Sequence, residues 1–198
     1  MKRNIIIYSV ISLFVLLFAL YYFGKLSFTG MFDKKYTREE LTENFTKSEE
    51  YFIELVNLFN EKFPDSLGQT IRFGLGKGNT VSLFFHPKVI DPGNKVIGGD
   101  NLKLGSPELD LVLRKLGWTN ETINNLRDKL SKTGCDWIST TENLNGLIKI
   151  YPNQNGWGSF SYCIFKKPIV GGLIKSYGKP ISDSEFGSRV VLDYRGAL

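Results

Sequence analysis

Few side chains in this 198-residue chain could act as a nucleophile or bind a metal, because it has one histidine, His86, and two cysteines, Cys135 and Cys163. Zinc sites normally need three or four clustered ligands, so this inventory argues against most of them, although a carboxylate-only site stays open. A Cys/His hydrolase would need Cys163 beside His86. Cys163 lies inside an apolar, strand-like run, and His86 precedes Pro87 at a strand end. Both contexts favour structural roles, and we predict no catalytic residue, no metal site and no cofactor.

Cys135 and Cys163 also raise the question of a disulfide, because two cysteines outside the cytoplasm can pair. In a simple three-strand meander their strands would be the outer two, roughly 10 Å apart. A disulfide needs Cα atoms within about 7 Å of each other. However, Cys135 directly follows Gly134, which is predicted to end a helix, and it could lie off the sheet. A disulfide and two separate buried thiols are therefore both open.

Two further patterns resemble binding motifs only superficially. The glycine-rich run at residues 74–80 contains Gly-Lys but lacks the Walker spacing, and a hairpin turn explains it better. Helices predicted at residues 107–116 and 120–133 are spaced like a helix-turn-helix. Acidic residues Glu121 and Asp128 interrupt the basic surface of the second helix, so no nucleic-acid partner is expected.

Aromatic residues in glycine-rich segments are the best candidates for a binding surface. Trp157, Phe160 and Tyr177 lie in such segments, and aromatic side chains bury large areas at low entropic cost. The alternative is that these side chains complete the core.

The first helix of the domain is the clearest predicted element. Thr37-Arg38-Glu39-Glu40 is a capping box, in which Thr37 and Glu40 each bond the other's backbone amide. Apolar residues then recur at helical spacing until Pro64: Leu41, Phe45, Phe52, Leu55, Val56, Phe59 and Phe63.

Strand and helix patterns alternate along the rest of the domain. Helices are predicted at residues 107–116, behind Ser106, and 120–133, behind Thr119. Strands are predicted at residues 70–75, 80–86, 135–140, 147–151, 157–165 and 189–194, with one short strand near 95–97 or 101–104. This order predicts an α+β fold, one compact domain with a mostly antiparallel sheet, one long amphipathic helix and a two-helix corner.

An N-terminal transmembrane helix is predicted from residues 5–23, which are 19 consecutive residues without a charge, Gly or Pro. As a helix they would be roughly 28 Å long, close to the roughly 30 Å hydrocarbon core of a bilayer. We therefore divide the chain into an anchor with a short basic tail at 1–23, a juxtamembrane spacer at 24–36 and a soluble domain at 37–198. A cleaved signal peptide is the alternative, although its apolar core is usually shorter.

The charges flanking this segment favour a cytoplasmic N-terminus with the domain outside, because Lys2 and Arg3 directly precede it. Lys25 and the nearby Lys34, Lys35 and Arg38 on the other side weaken that preference. Removing Lys2 and Arg3 from the 25 basic residues leaves 23 against 20 acidic residues, so the remainder carries only +3. This balance favours solubility and does not indicate nucleic-acid binding.

The sequence thus predicts a single-pass, membrane-tethered extracytoplasmic protein whose domain is a non-enzymatic interaction module. Its partners would be membrane lipid, through residues 5–23, and a protein or envelope component. Two alternatives stay open. One is a cell-envelope hydrolase with an acid-based or Cys163/His86 site, and the other is a membrane-tethered cytoplasmic regulator that uses the two-helix corner.

Overall fold

The computed structural model describes residues 14–18, 21, 36–63, 70–86, 96–141, 147–152 and 159–195. The chain divides into two units, and the larger comprises residues 36–153 and 160–195. In the other unit, residues 14–18 and 21 are helical. The predicted anchor at 5–23 and spacer at 24–36 lie mostly outside the described residues. Among the described helices, none combines the length and the apolar character needed to cross a membrane.

The α-helices of the larger unit, within its described residues, are α1 (Arg38–Lys62), α2 (Pro107–Leu116), α3 (Asn120–Lys132) and α4 (Gly172–Tyr177). Helix α1 begins at the predicted capping box, where the Glu40 amide donates to Thr37 Oγ1 at 3.1 Å and the Thr37 amide donates to Glu40 Oε2 at 2.9 Å. Helix α2 ends at Gly117, whose φ of 66° suits a residue without a Cβ atom. The predicted start signals of α1, α2 and α3 and the predicted end of α2 are confirmed, whereas the predicted stop at Pro64 lies outside the described residues.

Within the described residues, seven strands form one sheet: β1 (Thr70–Leu75), β2 (Thr80–His86), β3 (Ile97–Lys103), β4 (Cys135–Thr141), β5 (Leu147–Pro152), β6 (Ser159–Ile164) and β7 (Val190–Arg195). Their order is β3-β2-β1-β4-β5-β6-β7, and each neighbouring pair from β3 across to β6 is antiparallel. Two meanders therefore meet where β1 pairs with β4, and helices α2 and α3 connect them. The predicted α+β class with an antiparallel sheet is confirmed.

The main hydrophobic core lies between helices α1–α3 and one face of the sheet. Alternate residues of the strands form the sheet's part of this core. Ile71 and Phe73 of β1 and Ile148 and Ile150 of β5 point into it. The buried Tyr162 of β6 joins it from the far half of the sheet. Its hydroxyl donates to the Leu41 carbonyl at 2.9 Å and so bonds the sheet to α1.

The opposite face of the sheet carries a second, smaller cluster, formed by Leu147, Cys163, Ile169 and Val191. Phe165 and Tyr177 pack against it with rings 5.1 Å apart. The segment after β6, which includes α4, therefore covers part of this face.

Two elements differ from the sequence-based expectation. Strand β3 runs from Ile97 to Lys103 and so overlaps both of the short regions that the sequence offered as alternatives. Gly98 lies close to β2 within it, where a Cβ atom would lie 1.8 Å from the Leu83 carbonyl oxygen. Helix α4 was not predicted, since Pro168 and Gly171-Gly172 indicate an interruption.

Candidate functional site

The structure separates the two residues of the predicted Cys/His alternative. His86 ends β2 and Cys163 lies in β6, with β1, β4 and β5 between them in the sheet. Four strand spacings correspond to about 19 Å, far beyond hydrogen-bond reach. A hydrolase that pairs Cys163 with His86 is therefore inconsistent with this fold.

Cys135 and Cys163 are free, buried thiols on opposite faces of the sheet. Of the two alternatives that the sequence left open, the structure has the separate thiols. Burial raises the pKa of the Cys135 thiol from 9.0 to about 12 and also raises the pKa of Cys163. Both groups therefore stay protonated at neutral pH, which suits packing rather than nucleophilic attack.

The three aromatic residues predicted as a binding surface are not assembled by the described residues. Trp157 lies outside them. Phe160 is half-buried against the main core, whereas Tyr177 packs against the smaller cluster on the other face of the sheet. Phe160 and Tyr177 therefore belong to different layers.

The two patterns that resembled binding motifs have structural roles. Residues 76–79 connect the antiparallel strands β1 and β2, so the glycine-rich run is the predicted hairpin turn. On α3, Arg127 donates to the Gly78 carbonyl at 3.0 Å and Lys129 pairs with Glu54 at 2.6 Å. These basic side chains therefore hold α3 against the hairpin turn and α1.

The face of the sheet that carries the smaller hydrophobic cluster also carries a buried polar cluster, which the sequence did not predict. Lys149 Nζ lies 2.9 Å from Asp193 Oδ2, and the Lys149 side chain is only 5% exposed. Cys163 Sγ lies 3.9 Å from the same carboxylate oxygen and 3.7 Å from Ser161 Oγ. Because these groups bond one another and are buried, the cluster serves to fix β5, β6 and β7 together.

The described residues form a cleft of about 400 Å³ between α1 and the ends of β5 and β6. This volume falls within the range of ligand pockets, about 300–1,000 Å³. Its described lining has five apolar and four polar residues, with no acidic side chain: Val56, Asn57, Asn60, Phe63, Ile148, Ile164, Phe165, Lys166 and Arg189. We call this the α1 cleft.

Arg189 is held at the wall of the α1 cleft by three contacts. Its carbonyl accepts a hydrogen bond from the Phe165 amide at 2.9 Å, and its Nη1 donates to the Lys166 carbonyl at 3.4 Å. Its guanidinium carbon lies 4.9 Å from the centre of the Phe186 ring. Nε is buried and has no hydrogen-bond partner among the described residues.

Asn57 and Asn60 line the cleft from one turn of α1, three residues apart, where side chains are neighbours. Both are exposed, and neither side chain forms a hydrogen bond within the described part of the chain. Each amide can donate and accept, so the pair can bond a ligand that has both kinds of group.

The cleft offers recognition chemistry rather than catalysis. A guanidinium binds carboxylate and phosphate oxygens with its fork of donors, and the apolar walls accept a hydrocarbon group. The described lining contains no thiol, hydroxyl, imidazole or carboxylate. Elsewhere in the described residues, no group of three or more His, Cys, Asp or Glu side chains is arranged to hold a metal ion.

Sequence reasoning missed this site because its parts come from distant segments. Asn57 and Asn60 were not singled out within the predicted first helix, and Arg189 entered only as the first residue of the predicted strand at 189–194. The one available signal was the pair of amides at helical spacing among large apolar residues.

Comparison with known proteins found no match, whether among family models, curated proteins or solved structures.

Proposed function

We propose that the chain is a membrane-tethered extracytoplasmic binding module whose α1 cleft receives the carboxyl-terminal end of a short apolar peptide. The observation that carries this proposal is the buried Nε of Arg189, which lacks a hydrogen-bond partner among the described residues, beside a cleft without acidic lining. A buried donor without a partner leaves the Arg189 guanidinium short of acceptors, and a ligand oxyanion on the part of it that lines the cleft would compensate its charge.

A peptide end matches the mixture of groups in the cleft. Its carboxylate would accept from Arg189, with Lys166 adding positive charge to the lining. The peptide bond next to it offers one donor and one acceptor, which Asn57 and Asn60 can bond. The last side chain would lie against the apolar floor formed by residues such as Ile148 and Ile164.

The membrane tether rests on residues 5–23 of the sequence. The described part of that segment supports it, because Phe14 is 69% exposed and Leu17 is 53% exposed, with their apolar neighbours exposed to a similar degree. A helical run of exposed, large apolar side chains is unfavourable in water and suits a lipid environment.

Calorimetric titration of the full-length protein in detergent micelles tests the binding function. The ligands are N-acetyl-Leu-Leu with a free carboxylate, the same dipeptide as its carboxyl-terminal amide, and inorganic phosphate. We expect saturable binding of the acid and much weaker binding of the amide. Equal binding of acid and amide, or no binding of either, would contradict the peptide proposal. Binding of phosphate alone would instead assign the cleft to phosphate.

Substitutions on α1 separate binding from folding. Asn57→Ala and Asn60→Ala remove exposed amides and insert the best helix former, so the helix should not lose stability. Each should weaken binding of N-acetyl-Leu-Leu by about five- to tenfold, the value of roughly one hydrogen bond. The matched control is Glu61→Ala on the same helix, whose side chain does not line the cleft and should leave binding unchanged.

The tether and its orientation have a separate test. We expect the protein to stay with membranes after carbonate extraction. Lys77→Cys in the exposed hairpin turn should react with a membrane-impermeant maleimide added to intact cells. Labelling only after permeabilisation would place the domain in the cytoplasm.

A further inference from the structure

The segment from Lys166 to Lys179 presents an apolar surface surrounded by lysines. Val170 is 69% exposed, Leu173 40% and Ile174 38%, and helix α4 has no buried residue. Leu173 and Ile174 lie on α4, and Val170 precedes the helix, with its carbonyl accepting a hydrogen bond from the Leu173 amide at 3.3 Å. Exposed apolar side chains grouped in this way indicate a surface that is covered by something else.

The charges of this segment have one sign. It contains four lysines, Lys166, Lys167, Lys175 and Lys179, all exposed, and no Asp or Glu. The segment therefore carries a local charge of +4, although the whole chain contains 20 acidic residues. Apolar side chains flanked by lysines match the interface of an anionic bilayer, where the chains enter the headgroup boundary and the lysines meet lipid phosphates.

The segment packs against the domain near both of its ends. Its exposed apolar side chains, Val170, Leu173 and Ile174, therefore face away from the domain. Ile169 is buried in the smaller cluster, and its amide donates to the Ser188 carbonyl at 3.1 Å. Tyr177 packs on Phe165, with ring centres 5.1 Å apart. Docking therefore needs no rearrangement of the segment and little ordering entropy.

We infer that residues 166–179 form a docking surface for an anionic lipid bilayer, which lays the domain against the membrane that anchors it. This inference rests on the tether in the proposed function. Residues 24–35 are 12 residues long and reach at most about 43 Å when fully extended. The tether would keep the surface at a high local concentration near lipid, so weak docking is sufficient.

Fluorescence quenching in nanodiscs tests this docking with the full-length protein. Val170→Cys carries an environment-sensitive NBD label, and the matched control carries it at Lys77→Cys in the β1–β2 turn, on the other half of the sheet. Cys135 and Cys163 are buried, so the label reaches the introduced cysteine. Nanodiscs contain doxyl-labelled lipid in phosphatidylcholine, with or without phosphatidylglycerol.

We expect quenching at position 170 but not at 77, and only where phosphatidylglycerol is present. Replacing Lys167, Lys175 and Lys179 with Gln should weaken docking by about fivefold for each lysine, on the order of 100-fold together. Lys166 is retained because it also lines the α1 cleft.

Three results would overturn the inference: no quenching at 170, equal quenching at 170 and 77, or equal quenching with and without anionic lipid. Contact between labels of two protein copies, seen as self-quenching without doxyl lipid, would assign the surface to self-association instead. Co-elution with nanodiscs separates the two proposals. A chain that fails to enter nanodiscs contradicts the tether, whereas an incorporated chain with an unquenched label contradicts only the docking.

Discussion

The guanidinium group of Arg189 lies over the ring of Phe186, with its central carbon 4.9 Å from the ring centre. A guanidinium stacked in this way is held in one plane, so its remaining donors keep a fixed direction. This contact pre-orders the charged wall of the α1 cleft before any ligand enters.

Arg189→Lys is therefore expected to weaken binding of N-acetyl-Leu-Leu by tenfold or more, although the positive charge remains. Lysine has no planar fork and no Nε donor at this position. Arg114→Gln is the control, because Arg114 lies on α2, is exposed and does not line the cleft. Calorimetric titration measures both. An Arg189→Lys protein that binds as tightly as the wild type would show that the cleft recognises charge alone.

Tyr162→Phe is expected to lower the free energy of unfolding by about 1–3 kcal/mol. The Tyr162 hydroxyl donates to the Leu41 carbonyl at 2.9 Å and accepts from Asn44 Nδ2 at 3.2 Å, so its loss removes two hydrogen bonds between β6 and α1. Tyr177→Phe is the control, with an expected change within about 0.5 kcal/mol, since its hydroxyl has no hydrogen bond among the described residues. Urea unfolding compares the two, and equal losses would contradict this assignment.

The buried Cys135 thiol should make stability fall at alkaline pH. Its pKa is raised from 9.0 to about 12 by burial, so between these values the folded chain keeps a proton that the unfolded chain releases. The stabilisation is complete below about pH 9 and is lost as pH rises towards 12, by up to about 1.4 kcal/mol per pH unit. Urea unfolding of wild type and Cys135→Ala from neutral to alkaline pH measures this. A stability difference between the two that does not change with pH would refute it.

Breaking the Lys149–Asp193 pair should have unequal effects. The Lys149 side chain is 5% exposed and that of Asp193 is 23% exposed, so Asp193→Asn removes a carboxylate from beside an ammonium group that water reaches poorly. We expect a loss of about 3–5 kcal/mol for Asp193→Asn. Lys149→Met should cost less, because the remaining carboxylate is nearer to solvent. Urea unfolding of the two variants decides this, and the reverse order would be inconsistent with the burial described here.

Much of the fold could be predicted from local signals. Ser106 and Gly117 mark the ends of α2, and the turn at residues 76–79 fixes the β1–β2 hairpin, because capping and turn chemistry depends on adjacent residues. The antiparallel pairing of β1 with β4 depends instead on packing between distant segments. No local pattern specifies it.

The candidate site was not predictable for the same reason. Asn57 and Arg189 line one cleft because α1 lies beside the ends of β5 and β6. Lys149, outside that cleft, was equally hidden, since it alternates with Ile148 and Ile150 and only the folded sheet shows that its face is covered. A polar residue beside an apolar stripe has the same sequence pattern whether it faces water or a cleft.

The most direct test of the binding account is a nitrogen–proton NMR titration of the full-length protein in micelles with N-acetyl-Leu-Leu. The side-chain signals to follow are the amides of Asn57 and Asn60 and the Nε–H of Arg189. We predict that all three shift together and saturate with the free acid, while the amide form leaves the Arg189 signal in place. Saturable shifts elsewhere, with these three signals unmoved, would contradict the assignment of the α1 cleft as the binding site.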